Sequence, residues 1–169
     1  ILLFLLIGAV LTMIIQSSSA TMAITLIMCT NGWIDYHLGA ALVLGENIGT
    51  TVTANLAALT GNTQARRAAL AHLMFNIFGV IWVLILFYPF TAAVSWFVTN
   101  VMHVSDPAVR VSFELSAFHT AFNICNTFVM IWFISLIEKT VCSIIKPKQE
   151  EEEYRLSYIA GGMLSTSEL

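Results

Sequence analysis

The chain is poor in charged residues, and this shortage excludes an ordinary water-soluble domain. Asp, Glu, Lys and Arg make up 10% of its 169 residues, whereas hydrophobic residues make up 58%. Soluble domains carry roughly 25% charged residues, because a surface that faces water needs them. Between Ile1 and Ile145 the few charges lie in small groups separated by apolar runs. We therefore expect residues 1–145 to form a membrane domain.

The sequence also lacks the patterns of most catalytic proteins. It contains no Walker loop, no cluster of metal ligands and no nucleophile–base pair, and Cys29, Cys125 and Cys142 have no metal-like spacing. ATP-driven pumping and hydrolysis therefore have no support. We expect a protein that is not an enzyme, that needs no cofactor and that does not bind nucleic acid.

Two apolar segments are long enough to cross a bilayer, which takes roughly 20 residues. They are predicted as helices over 66–98 and 111–140, joined by a polar loop. Pro89 is expected to kink or end the regular part of the first one.

Two other segments are interrupted by polar residues. Residues 1–30 consist of two short apolar arms on either side of Gln16–Ser19, which predicts a re-entrant helical hairpin with these residues at its tip. Residues 38–60 contain the polar stretch Gly45–Thr53, which predicts a broken transmembrane helix. Paired discontinuities of this kind are the best sequence indication of a transport site. The predicted fold is an all-α polytopic membrane protein.

The basic residues predict the orientation, because Lys and Arg favour the cytoplasmic side. Arg66 and Arg67 lie before the apolar run of the 66–98 helix, whereas Lys139, Lys146 and Lys148 follow the apolar run of the 111–140 helix. Two crossings separate the two groups, so both can lie inside. Residues 146–169 are then a polar, acidic cytoplasmic linker.

The polar residues of the interrupted segments predict binding chemistry. Hydroxyls of Ser17, Ser18 and Ser19 can donate to an anion or coordinate a cation, and a helix that starts at the tip would add its free N–H groups. The alternative is a continuous helix whose serines bond backbone carbonyls or a neighbouring helix.

Oxygens from the Gly45–Thr53 stretch, together with unwound carbonyls, suit an alkali cation; the side chains are those of Asn47, Thr50, Thr51 and Thr53. Glu46 is either a direct ion ligand or a wet residue near the interface.

His72 and Asn76 are echoed by His119 and Asn123, each pair being four residues apart on one helix face. Hydrogen bonding between helices is the commonest use of such residues. Contact of Asn76 and Asn123 with the substrate is the other interpretation. No Lys or Arg lies within the apolar runs themselves, so an anion bound there would need compensation from co-bound cations and helix N-termini.

The motifs Gln16-Ser17-Ser18-Ser19 and Gly45-Glu46-Asn47-Ile48-Gly49-Thr50-Thr51, in this order, resemble the type II sodium/phosphate cotransporter family. The resemblance extends through Arg66-Arg67, His72, Asn76, His119 and Asn123, over nearly all of residues 11–137. It implies the second of two inverted repeats, expected to lack its upstream repeat and to be cut before a PhoU-like domain. The chain differs from the family in having only one QSSS motif, and its Glu46 lies at a position where small residues are also common in the family.

The resemblance implies sodium-driven phosphate uptake across the inner membrane, with the serines contacting phosphate. It implies that Gln16 and the threonine-rich stretch contribute to sodium sites. The expected partners are phosphate, sodium, the bilayer, and the missing first repeat or a second copy of the chain. Two alternatives remain: a sodium-coupled carrier of another oxyanion or small solute, and a non-transporting membrane anchor or sensor.

Overall fold

Residues 1–147 are described by a computed structural model, and they form helices without a strand among them. The helices are α1 (Leu2–Ile15), α2 (Ser18–Thr30), α3 (Tyr36–Ala58), α4 (Thr63–Ile85), α5 (Phe87–Asn100), α6 (Pro107–Met130), a short 3-10 helix (Ile131–Phe133) and α7 (Ile134–Ile144). The all-α prediction is confirmed. Most of the predicted cytoplasmic linker lies outside the described residues.

The first two helices are short and are separated by a tight turn. Gln16 ends α1 in the left-handed conformation with φ 58°, and Ser17 is extended before α2 begins. The 14 residues of α1 and the 13 of α2 correspond to about 20 Å each, less than the ~30 Å hydrocarbon core. The predicted interruption at Gln16–Ser19 is therefore present.

The predicted break in the second interrupted segment is wrong, because α3 runs without interruption from Tyr36 to Ala58. The polar side chains bond to carbonyls of their own helix rather than replacing the helix. Asn47 Nδ2 donates to Val43 O at 3.1 Å, and Thr50 Oγ1 donates to Glu46 O at 2.9 Å. Thr51 Oγ1 and Thr53 Oγ1 likewise donate to carbonyls three residues earlier. The backbone carbonyls of this stretch are thus not released for ion binding.

The glycines of α3 serve close helix packing instead of unwinding. A Cβ atom on Gly45 would collide with the backbone of Leu5, and one on Gly49 would lie 2.5 Å from Ala9 O. Gly8 of α1 meets the backbone of Leu42 in the same way. Small residues allow helix backbones to approach closely in membranes. The glycine pattern therefore indicates contact with α1, which the sequence alone did not distinguish from a flexible backbone.

The two longer predicted spans each contain an interruption. The first divides at Leu86 into α4 and α5, since Pro89 has no N–H to donate to the carbonyl of Ile85. The second contains the 3-10 helix between α6 and α7. Helices over Thr63–Ile85 and Val109–Ile144 are long and apolar enough to cross a membrane.

The ends of these two units meet at one side of the molecule. Arg67 Nε donates to the carbonyl of Ile145 at 3.0 Å. The start of α4 and the end of α7 therefore lie together, as the basic residues on both predict. This contact supports the orientation expected from charge, and the membrane side itself stays a prediction.

Candidate substrate and ion site

The tip between α1 and α2 presents hydroxyls and free backbone N–H groups. Ser17 Oγ caps α2 by accepting a hydrogen bond from Ala20 N at 3.3 Å, and it lies 3.2 Å from Ser19 Oγ. Gln16, Ser18 and Ser19 are exposed, whereas Ser17 is half-buried. The first turn of a helix carries unsatisfied N–H groups and a partial positive charge. The tip can therefore donate hydrogen bonds to an anion.

Helices α1 and α3 are parallel, so the C-terminal end of α1, where the tip begins, lies near the threonine-rich part of α3. A Cβ atom on Gly45 would meet Leu5, and one on Gly49 would meet Thr12, so residue numbers rise together in both helices. One further turn along α3, Thr53 lies level with the C-terminal end of α1.

Helix α2 is antiparallel to α3. Thr25 Oγ1 lies 2.9 Å from Glu46 Oε1, and a Cβ atom on Gly39 would lie 2.6 Å from Cys29 Sγ. Residue numbers therefore rise in α2 while they fall in α3, and the start of α2 lies level with Thr53. The structure thus brings the predicted anion-binding tip and part of the predicted cation-binding stretch to one level.

The predicted cation ligands do not all share one face of α3. Glu46, Thr50 and Thr53 follow the i, i+4, i+7 spacing of a single helix face, and the contact of Glu46 with Thr25 places that face against α2. Asn47 and Thr51 are four residues apart on a different face. The side chains predicted to bind the cation therefore lie on two faces of α3, and their role stays a prediction.

Two buried threonines of α2 were missed by sequence reasoning. Thr21 and Thr25 are 0% and 1% exposed, and Thr25 contacts Glu46, which is 4% exposed. Their i, i+4 spacing within an apolar helix was the available signal. Glu46 is not a wet interfacial residue in this structure.

The asparagines of the His–Asn echo bond within their own helices. Asn76 Nδ2 donates to His72 O at 3.1 Å, and Asn123 Nδ2 donates to His119 O at 2.8 Å. These bonds bring neither amide to the tip. A substrate role for either asparagine stays a prediction.

Helices α4 and α6 are joined by another asparagine, which the sequence analysis did not select. Asn126 is 0% exposed, donates to Phe75 O at 3.1 Å and accepts from Trp82 Nε1 at 3.2 Å. A Cβ atom on Gly79 would lie 2.5 Å from its amide nitrogen. The interhelical hydrogen bonding that was expected of the His–Asn pairs is made instead by Asn126.

Comparison with known proteins gives relatives that extend beyond this chain. YqeW of Bacillus subtilis is 35% identical over 144 residues, which are 85% of this chain and 44% of that protein. Sodium-dependent phosphate transport protein 2C of Mus musculus is 42% identical over 85 residues, 47% of this chain and 14% of the mouse protein. YjbB of Salmonella typhimurium, whose name refers to inorganic phosphate export, is 29% identical over 145 residues, 86% of this chain and 25% of that protein.

The chain spans less than half the length of each of these relatives. No solved structure matches it significantly. Residues 2–105, more than half of the chain, match the family model described as Na+/Pi-cotransporter. The chain belongs to the Na+/Pi-cotransporter family.

Proposed function

We propose that this chain is one half of a carrier that takes up inorganic phosphate across the inner membrane together with sodium. The observation that supports this most directly is the helix register that brings the Gln16–Ser19 tip level with Thr53. The family supports phosphate as the substrate, and the name of the mouse relative refers to sodium-dependent phosphate transport.

Phosphate binds at the tip in this proposal. Hydroxyls of Ser18 and Ser19 are exposed and can donate to phosphate oxygens, while Ser17 holds the first turn of α2 in place. The N-terminal N–H groups of α2 add donors and partial positive charge. Asn76 and Asn123 remain proposed contacts from the other side of the substrate.

Sodium binds beside the tip, through side-chain oxygens rather than unwound backbone. The hydroxyl of Thr50 gives its hydrogen to a carbonyl of its own helix, so its lone pairs remain available to a cation. The same holds for Thr51 and Thr53, and the amide oxygens of Gln16 and Asn47 are further neutral ligands. Oxygen ligands of this kind suit a hard cation.

Charge balance makes the two solutes depend on each other. The first 65 residues contain no Lys or Arg, so the α1–α3 region offers phosphate no permanently charged cationic side chain. A sodium ion held nearby lowers the cost of bringing the anion into the membrane. By reciprocity, phosphate must tighten sodium binding by the same factor.

The half-carrier proposal is supported by the openness of the tip. Gln16, Ser18 and Ser19 are exposed in this chain, and a second repeat or a second copy would close the site over the substrate. We propose in addition that α1 and α2 form a re-entrant hairpin, since neither is long enough to span. Cysteine labelling from each side of the membrane tests this: residues 2 and 31 should react from the same side, and reaction from opposite sides would refute the hairpin.

The experiment for the function uses the full-length protein that contains this segment, reconstituted in liposomes. Radiolabelled phosphate should accumulate under an inward sodium gradient and not when choline replaces sodium. Stronger competition by sulfate than by unlabelled phosphate would indicate a different oxyanion. Absence of any sodium-dependent flux in either direction would reject transport and favour an anchor.

A matched pair of variants separates binding from folding. The double variant Ser18→Ala, Ser19→Ala removes two exposed tip hydroxyls, whereas Ser143→Ala removes an exposed hydroxyl at the end of α7. Only the tip variant should raise the phosphate concentration for half-maximal uptake, at equal abundance in the membrane. Equal behaviour of both variants would remove the tip from the phosphate site.

A further inference from the structure

Glu46 and Thr25 form a buried polar pair between α3 and α2. Glu46 is 4% exposed, Thr25 is 1% exposed, and Glu46 Oε1 lies 2.9 Å from Thr25 Oγ1. A carboxylate in the interior of a membrane protein is expensive and needs a partner that offsets its charge. The pair therefore raises the question of what neutralises Glu46.

No basic side chain of the described region fills this role. Helices α1 and α2 carry no Lys, Arg or His. On the other neighbours of α3, the ionisable side chains are Arg66, Arg67 and His72 of α4, and Arg110, Glu114, His119 and Cys125 of α6. Arg67 bonds to a backbone carbonyl, and the ion pair found within residues 1–147 joins Arg110 to Glu114 at 3.6 Å.

The hydroxyl of Thr25 is neutral, so its hydrogen bonds do not balance the negative charge of the Glu46 carboxylate. Thr25 Oγ1 lies 3.0 Å from Thr21 O and 2.9 Å from Glu46 Oε1, so two acceptors share one hydroxyl hydrogen. A hydroxyl that donates to the carbonyl of its own helix directs lone pairs elsewhere. With that hydrogen directed to Thr21 O, the Thr25 lone pairs and the Glu46 carboxylate, 2.9 Å apart, are both available to coordinate a cation.

A line of oxygen atoms joins this pair to the tip. Thr21 and Thr25 lie one turn apart on α2, whereas Glu46, Thr50 and Thr53 share the opposing face of α3. Because the helices are antiparallel, these residues form successive levels from the exposed tip to the buried carboxylate. A desolvating cation would find an oxygen ligand at each level.

We propose that Glu46 and Thr25 bind a sodium ion between α2 and α3, at a second position deeper than the tip. The ion neutralises the buried carboxylate, and Thr25 supplies a neutral ligand from the other helix. This inference rests on the proposed sodium-coupled function, to which it adds a charged site and a residue, Thr25, outside the predicted ligand set.

The test is sodium-dependent thermal stabilisation of the full-length protein in detergent, without phosphate. Sodium chloride is titrated against choline chloride at constant ionic strength. A ligand that binds only the folded state raises the melting temperature with its concentration. Glu46→Gln should raise the sodium concentration for half-maximal stabilisation roughly tenfold or more, and Thr25→Val roughly two- to tenfold, given the energies of bonds to charged and neutral groups.

The control is Thr12→Val; Thr12 is 1% exposed, and its hydroxyl donates to Gly8 O of its own helix and to no other helix within residues 1–147. It should leave the sodium titration unchanged. Without sodium, Glu46→Gln should melt no lower than the wild type, because the variant lacks the unneutralised charge. A purely structural carboxylate predicts the opposite, a lower melting temperature with and without sodium.

Two results would overturn the proposal in distinguishable ways. If sodium stabilises the wild type and Glu46→Gln equally, sodium binds elsewhere and a proton neutralises Glu46, which leaves the proposed function intact. If sodium stabilises neither protein and drives no phosphate flux, the proposed function fails as well.

Discussion

The two parts of the described chain use polar residues for different purposes. In the tip region (residues 1–60), Thr25 of α2 faces Glu46 of α3, and Ser18 and Ser19 at the tip remain exposed. In the long-helix region (residues 63–144), Asn126 of α6 bonds to α4: its amide nitrogen donates to Phe75 O, and its amide oxygen accepts from Trp82 Nε1. The first arrangement leaves oxygen atoms for a ligand, whereas the second only holds helices together.

The two regions also pack differently. The tip region relies on glycines that let the backbones of α1 and α3 touch. The long-helix region relies on aromatic side chains, with ring centroids of Phe90 and Phe118 at 5.5 Å and of Phe87 and Phe118 at 6.5 Å. Backbone contact fixes the helix register closely, and the register is what aligns the tip with Thr53. Side-chain packing tolerates more adjustment.

The largest expected effect comes from breaking the backbone contact in the tip region. Gly45→Ala would place a Cβ atom against the backbone of Leu5, which cannot move aside as a side chain can. Overpacking of this kind costs about 1–3 kcal/mol, and it should also separate the tip from α3. We expect a lower melting temperature and loss of phosphate uptake.

The control for this prediction is Gly61→Ala, at an exposed position where the new Cβ would lie 3.0 Å from the Ala65 side chain. Its effect on melting and uptake should be clearly smaller. Equal losses of melting temperature and uptake in both variants would show that the close α1–α3 backbone contact is not what the Gly45 substitution disrupts.

A smaller effect is expected from loosening the long-helix region. Asn126→Ala removes the partner of Trp82 Nε1 and of Phe75 O, which should cost about 1 kcal/mol, within the measured range for such bonds in membranes. The melting temperature should fall, while the sodium dependence of uptake stays unchanged. Asn123→Ala, whose amide bonds within α6, should lower the melting temperature less. A changed sodium dependence in Asn126→Ala would contradict the separation of roles.

Local sequence signals predicted the helices of this fold better than its packing. The polar interruption Gln16–Ser19 predicted a turn, and it was right because a helix restarts there with Ser17 as its cap. The polar stretch Gly45–Thr53 likewise predicted a break, and that prediction is wrong because α3 continues through it. Glycine permits both an unwound backbone and a close helix contact, and only the position of α1 decides between them.

The site shows the same limit. The sequence indicates which residues carry oxygen atoms, and helical spacing relates Glu46, Thr50 and Thr53. It does not indicate which helix lies opposite, so Thr25 could not be paired with Glu46. Asn126 was missed for a similar reason, because its role depends on Gly79 and Trp82 of another helix.

Within the tip, Ser17 and Ser19 should respond differently to removal of the hydroxyl. Ser17→Ala removes the cap of α2, which should cost about 1 kcal/mol of stability as well as weaken phosphate binding. Ser19→Ala should leave the melting temperature nearly unchanged and raise the half-saturating phosphate concentration roughly threefold. Melting curves and uptake measured on the same preparations check both. A lower melting temperature in Ser19→Ala alone would assign the two serines the reverse roles.

The smallest expected effect distinguishes the two faces of α3. Thr53→Val and Thr51→Val each remove a hydroxyl that donates at 2.8 Å to a carbonyl of its own helix, so the hydrogen bond lost is the same in both variants. The proposed sodium site includes both residues, but only Thr53 shares the α2-facing side with Glu46 and lies level with the tip. Thr53→Val should therefore shift the sodium dependence of phosphate binding to higher sodium by roughly threefold, and Thr51→Val by a smaller, roughly twofold amount, with phosphate affinity recovered at saturating sodium in both. The measurement is phosphate binding to the full-length protein over a sodium titration.

An unchanged curve for Thr51→Val would return its face to a structural role, because Thr51 is 0% exposed within this chain. An unchanged curve for Thr53→Val would count against the α2–α3 face as the path of the ion.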